Sequence, residues 1–315
     1  MNPAWSVIFF TTLAGLGQGL VTAIAAATLA GANLSGPVIS GGLALAIALL
    51  VVALGASFLH LGRPERAWRA VLMWRTSWLS REVIVLPAFI GIVAIWLVVH
   101  MRQGDGAFGQ AVLPVAAILV SLVLWYCTAM IYACIRFIQE WAHPLTIVNY
   151  TLIGLSSGLV LFAAIAAVAG AQALVRPAAA WALGLTVLAA AVRIFSIARN
   201  RRLKLKSSLQ SATGIRHSQV VQKSMGMTGG SFNTREFLHG RTQAFVAGIR
   251  YFAVGAGFVV PALLLIAALS GTDGGAQAGW LVVAVPVQYL GLLAERWYFF
   301  AQARHPQNLY YQVVS

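Results

Sequence analysis

Long apolar stretches alternate with short polar ones along the whole chain. Runs almost free of charge occupy residues 5–31, 38–61, 82–101, 111–134, 146–170, 178–198, 243–269 and 279–301. Each is long enough to cross a hydrocarbon core of roughly 30 Å, which takes about 20 helical residues. Backbone polar groups inside lipid must be satisfied within the segment, so each run predicts a helix. The pattern therefore predicts an all-α polytopic membrane protein with eight transmembrane helices. An even number of crossings places both termini on one face, and residues 1–315 form a single integral membrane domain.

Composition agrees with that picture: 60% of residues are apolar and 9% charged, with a mean hydropathy of +0.84. These values lie far from those of soluble globular domains. The first run has no Lys or Arg before it and is longer than the apolar core of a cleavable signal peptide, so it reads as a retained helix. The two cysteines, Cys127 and Cys134, sit seven residues apart on one helix, a spacing that suits packing rather than a bridge or a metal site.

A net charge of +14 in a soluble protein would suggest nucleic acid, but here its distribution reports orientation and no nucleic-acid partner is expected. Eighteen of the 21 Lys and Arg fall on the side of the 2/3, 4/5 and 6/7 connectors and the C-terminus. Arg102 and Arg176 lie on the other side, and Arg250 lies within a span. The positive-inside rule then expects both termini in the cytoplasm. The connectors on the opposite side are short and glycine-rich, as turns between antiparallel helices are. The one long connector, residues 199–241, is basic and too poor in apolar residues to fold alone. It suits a docking loop for a partner, and equally a contact with anionic membrane lipid. Ser80-Arg81-Glu82 before the third span is echoed by Thr234-Arg235-Glu236 before the seventh, which suits two four-helix halves and also the common chemistry of helix starts.

Chemistry concentrates between the second and third spans. Residues 59–82 read L-H-L-G-R-P-E-R-A-W-R-A-V-L-M-W-R-T-S-W-L-S-R-E, with five arginines, three tryptophans, and an acid–base side chain at each end. Gly62 is placed to adopt a left-handed C-cap, and Pro64 ends the second helix, leaving His60 in its last turn. That position suits either dipole stabilisation of the imidazole or proton exchange at the membrane boundary. The segment after Pro64 predicts a short interfacial helix, for which anchoring by snorkelling arginines and belt tryptophans is one reading. Glu82, with Ser80 as the candidate cap, opens the third span, where a carboxylate is either an ordinary first-turn acid or a proton relay.

The string His60-Leu61-Gly62-x-Pro64-x-Arg66-Ala67, followed by Leu79-Ser80-x-Glu82, resembles the DmsC-type membrane anchor subunits of molybdopterin iron–sulfur oxidoreductases, the dimethyl sulfoxide reductase anchor family. Gly17-Gln18 in the first span is similar to that family too. The segment from Met225 to Phe237 resembles the branch that includes the anchor of cytoplasmic sulfite:quinone oxidoreductase. The resemblance implies a bacterial inner-membrane subunit that carries an iron–sulfur subunit and a molybdopterin catalytic subunit and binds quinone, either ubiquinone or menaquinone. It assigns the quinone-site histidine, arginine and glutamate to His60, Arg66 and Glu82, with His60 and Glu82 exchanging protons. Arg63, Arg81 and Trp78 complete the expected quinone site. Arg69 and Arg75 on the connector, with Arg235, Glu236 and His239 in the long loop, are expected to dock the partner. Cation richness on one face favours a cytoplasmic partner over the arrangement of the dimethyl sulfoxide enzyme, whose anchor oxidises quinol.

A b-type haem needs axial ligands at matching depths on facing helices, which the six histidines do not offer, so no haem is expected. Clusters and molybdopterin belong to the expected partners. Arg250 inside a span should face the bundle and find Glu295 or Glu82, unless it snorkels. A transporter is the rival class, disfavoured because charges gather at one surface rather than at the midplane. A purely structural anchor is the other.

Overall fold

The computed structural model describes residues 1–59, 61–103, 106–204, 206–221, 223, 238, 241–271, 273–306 and 308. Eight helices among them are long and apolar enough to cross a membrane. They are α1 (Trp5–Leu29), α2 (Gly36–Phe58), α3 (Trp78–Gln103), α4 (Phe108–Ala133), α5 (Pro144–Val168), α6 (Gln172–Arg202), α7 (Gln243–Ser270) and α8 (Gly274–Ala301). Each of the eight apolar runs coincides with one of these helices, with ends displaced by a few residues. The helix α6 is longer than its apolar core, continuing to Arg199, Arg201 and Arg202, whose charges oppose the negative end of the helix dipole. One short helix, Leu209–Thr213, lies in the long loop.

Polar side chains at the helix starts satisfy backbone N–H groups that have no partner inside the helix. Ser77 Oγ accepts from Ser80 N at 3.3 Å and so caps α3, one turn earlier than expected, leaving Ser80 and Glu82 inside the helix. Thr242 caps α7 and Asp273 caps α8. His143 caps α5, its Nδ1 accepting from Leu145 N at 3.2 Å. Burial, helped by the nearby Arg199 charge, holds His143 below the usual imidazole range, which favours the neutral ring that capping requires.

The two most buried spans, α1 and α5, form the centre. Each packs on the helix that follows it and on α4 and α8. The pairs α3–α4 and α7–α8 flank them, so the main neighbours of each helix are repeated four helices further on. The helices α1 and α5 approach through glycine: a Cβ on Gly158 would come within 2.0 Å of Gly19 C, and one on Gly19 within 2.0 Å of Gly154 O. Small residues at such crossings let backbones touch where lipid supplies no hydrophobic drive for helix association. Gly291 of α8 meets Gly257 of α7 in the same way, at a π-helical turn spanning Gly255–Val259.

The end of the bundle that carries Met1 also carries Ala303, whose carbonyl accepts from the Met1 amine at 2.8 Å. Beneath it lies an aromatic layer of Tyr132, Trp141, Tyr150, Phe299 and Phe300. Glu140 is buried there against Arg304, with Nε and Oε1 2.7 Å apart.

Candidate functional site

At this same end the 2/3 connector leaves α2 at Phe58 and enters α3 at Trp78. Gly62 does not adopt the left-handed conformation expected of it; positive φ occurs among the described residues only at Gly31, Gly170 and Gly214. Leu59 ends α2 in right-handed geometry instead, and His60 lies outside the described residues. From Pro64 to Met73 the connector is helical as expected, but it is a 3-10 helix with no buried residue. Pro64 presets the first φ of this segment.

Arg63, Arg66, Arg69 and Arg75 are exposed along this connector. Arg66 is 3.9 Å from Glu65, and the Arg69 and Arg75 guanidinium groups stand 5.7 and 5.3 Å from the Trp68 and Trp74 rings. Arg81 does a different job. Its Nε and Nη2 donate to the carbonyls of Trp74 and Arg75, each at 2.9 Å, and its guanidinium lies 4.0 Å over Trp78. It therefore clamps the end of the connector to the first turn of α3. Trp78 in turn packs edge-on against Tyr126 of α4 at 5.3 Å.

Glu82 sits one turn further in, only 4% exposed, and accepts a short hydrogen bond from the Thr128 hydroxyl of α4. Among the described residues it has no ion-pair partner. A carboxyl group so placed is screened from bulk water and meets the bundle interior through Thr128. Trp78, Arg81 and Glu82 are thus gathered at the α3 entrance, with Arg75 beside them. Arg235, Glu236 and His239 lie outside the described residues.

Sequence reasoning missed a second cluster. Arg193 of α6 and Glu295 and Arg296 of α8 are 2%, 2% and 3% exposed. Arg193 Nε lies 2.6 Å from Glu295 Oε1, and Arg296 pairs with the other carboxylate oxygen. Arg296 also covers the Tyr150 and Phe299 rings at 4.2 and 4.8 Å. Arg250 pairs with neither Glu295 nor Glu82, contrary to expectation, because Glu295 is already taken from both sides. It is half-buried against Tyr251, 4.7 Å from that ring, and Tyr298. Of the other polar groups in spans, Gln288 bonds Ser156 of α5 and Tyr289 accepts from Thr12 of α1. Among the described residues Gln18 bonds only its own helix, at Ala14 O.

Residues 1–226, covering α1 to α6 and the connector, match the family described as the DMSO reductase anchor subunit (DmsC). The chain belongs to that family. It is also 47% identical over 330 aligned positions to the protein of Allochromatium vinosum named as the C subunit of sulfite dehydrogenase, with the full length of both chains covered. The DmsC match takes in His60, Glu82 and Thr128 but ends before Glu295 and Arg296, whereas the similarity to the Allochromatium protein extends over those as well. As a DmsC-family member with eight membrane-crossing helices, the chain is the membrane anchor subunit of a redox complex.

Proposed function

We propose that this anchor belongs to a sulfite:quinone oxidoreductase and passes electrons from an iron–sulfur subunit to quinone at the arginine-rich end of the bundle, which faces the cytoplasm. The observation that carries this reading is Glu82, a buried carboxyl group at the entrance to α3, beneath a connector whose far end holds His60. The full-length likeness to the Allochromatium sulfite dehydrogenase protein supports the choice of complex. The residues fit a quinone: exposed Leu72, Met73, Trp74 and Leu79 give an apolar approach from lipid, and Glu82 supplies a proton-exchanging group behind it.

When bound, a quinone supplies a two-electron, two-proton acceptor. In this reading His60 donates a hydrogen bond to one carbonyl and delivers a proton there. Glu82 restores the proton to that site. Arg66 and Arg63, exposed at the start of the connector, offset negative charge that develops on the headgroup or the neighbouring cluster. Arg81 acts as a positioning residue, since its donors hold the connector against α3. Arg69 and Arg75, with Arg235, Glu236 and His239, dock the soluble subunits.

His60→Ala and Glu82→Gln variants of the purified complex test this. The expected result is a loss of at least about tenfold in sulfite-dependent quinone reduction, in keeping with the usual worth of a positioned acid or base. Sulfite oxidation with a soluble artificial acceptor, and the set of proteins that co-purify, should stay unchanged. Normal quinone turnover in both variants would leave only a structural anchor.

A further inference from the structure

A narrow cavity with room for about one water molecule lies among α1, α4, α5 and α8. Its polar wall is Thr11, Thr12, Gln18, Thr128, Tyr150 and Arg296. From the helix rise, these residues lie roughly 8 to 20 Å below the helix ends at the Met1 side. Thr128 faces two ways: it lines the cavity, and its hydroxyl donates to Glu82. Arg296, on the α8 wall with Tyr150 close by, makes no well-formed hydrogen bond through Nη1 or Nη2 among the described residues. Gln18 Oε1 and Trp125 Nε1, both at the cavity, likewise have no partner among the described residues. Buried donors and acceptors left without partners around a polar space are the setting in which proteins hold internal water.

The charge around this space is unbalanced. Arg193, Glu295 and Arg296 together carry one surplus positive charge in a region screened from solvent. Thr128 and Arg296 line the same cavity and Thr128 touches Glu82, so the carboxyl group and the cluster adjoin one space. We propose that Glu82 exchanges its proton with water held in this interior chamber, through Thr128, and that Arg296 stabilises the carboxylate left behind. One proton moves and no electrons do. In uptake the Thr128 hydroxyl hydrogen passes to the Glu82 carboxylate while a protonated water of the chamber gives its proton to the Thr128 oxygen, leaving the Glu82 acid, an intact threonine and neutral water.

The inference deepens the quinone reading and rests on Glu82 being its proton relay. It changes the route: protons for Glu82 come from inside the bundle rather than straight from the membrane surface. The other ionisable groups around Glu82 are Arg81 on its own helix, Cys127 and Tyr132 on α4, Tyr150 on α5, and Glu65 and the arginines of the connector. The helix α2 contributes none over Gly36–Phe58, and His60 follows it in sequence. Of these, the connector charges stand on the exposed side, and Arg81 is committed to carbonyls.

The test is an infrared pH titration of the purified complex in lipid nanodiscs, following the carboxyl band identified by its loss in Glu82→Gln. Arg296→Gln leaves the neutral Arg193–Glu295 pair in place, and Thr128→Val keeps the side-chain shape, so both should assemble. Each should weaken the carboxylate form about tenfold, moving the midpoint up by about one pH unit. Arg296→Lys should restore most of the shift, and Arg304→Gln, which alters a different ion pair, should cause none. Midpoints within twofold of the parent in both Arg296→Gln and Thr128→Val would overturn the proposal. The titration needs no quinone, so it separates the two ideas. Unimpaired quinone turnover in both His60→Ala and Glu82→Gln would remove the quinone reading and leave the midpoint shifts standing.

Discussion

Glu295 is held between two guanidinium groups in the bundle interior, and its removal leaves both cations without a counter-charge. Breaking a buried ion pair by deleting one member costs about 3–5 kcal/mol. Glu295→Gln should therefore lower the thermal midpoint sharply or abolish recovery of monodisperse protein, as fluorescence-detected size exclusion would register. Replacing Arg193, Glu295 and Arg296 together with Met should be far milder, because no uncompensated charge remains. This cluster was illegible in the sequence for a definite reason. Position along a helix gives depth, and both Arg193 and Arg296 fall near span ends where surface cations are ordinary. Which face they occupy depends on packing, and helices apolar all round encode no face. Glu82 was legible because it ends a string of residues whose types are informative in order. Its partner Thr128 was not, since one threonine in an apolar helix carries no signal about the helix opposite.

The helices themselves were readable because lipid imposes a length that few soluble sequences satisfy, and the eight apolar runs satisfy it. Their contacts were not. The α1–α5 crossing depends on Gly19, Gly154 and Gly158 meeting backbone to backbone, and the sequence holds 30 glycines with no mark on these three. Gly158→Ala should push the two helices apart and destabilise the protein by at least the 1–3 kcal/mol typical of overpacking. Gly184→Ala on α6 makes the matched control, since nothing lies within 4 Å of its would-be Cβ. Thermal melts of the two variants in the same detergent should differ clearly, with only the first lowered. The connector was expected to be helical, and it is. Its 3-10 form was not foreseeable, because the proline start and the arginine spacing suit either helix type.

Orientation is a property of the whole molecule, and the charge asymmetry that argues for it can be checked with a residue the protein already has. Cys134 is exposed at the end of α4 on the side of the termini, while Cys127 is buried. If that side faces the cytoplasm, a membrane-impermeant maleimide should label Cys134 in inside-out vesicles and not in intact spheroplasts. Labelling in spheroplasts would reverse the assignment. The connector on this face has a further consequence. A 3-10 helix has poorer hydrogen-bond geometry than an α-helix, and this one has no buried residue to anchor it. It is held chiefly where Arg81 grips its last carbonyls, so it should open locally at a free energy well below that of unfolding the bundle. On the quinone reading proposed above, warming the solubilised complex should therefore silence reduction of added quinone while the circular dichroism of the helices is still intact. On that reading, an enzyme judged sound by its spectrum would already have lost its route to quinone.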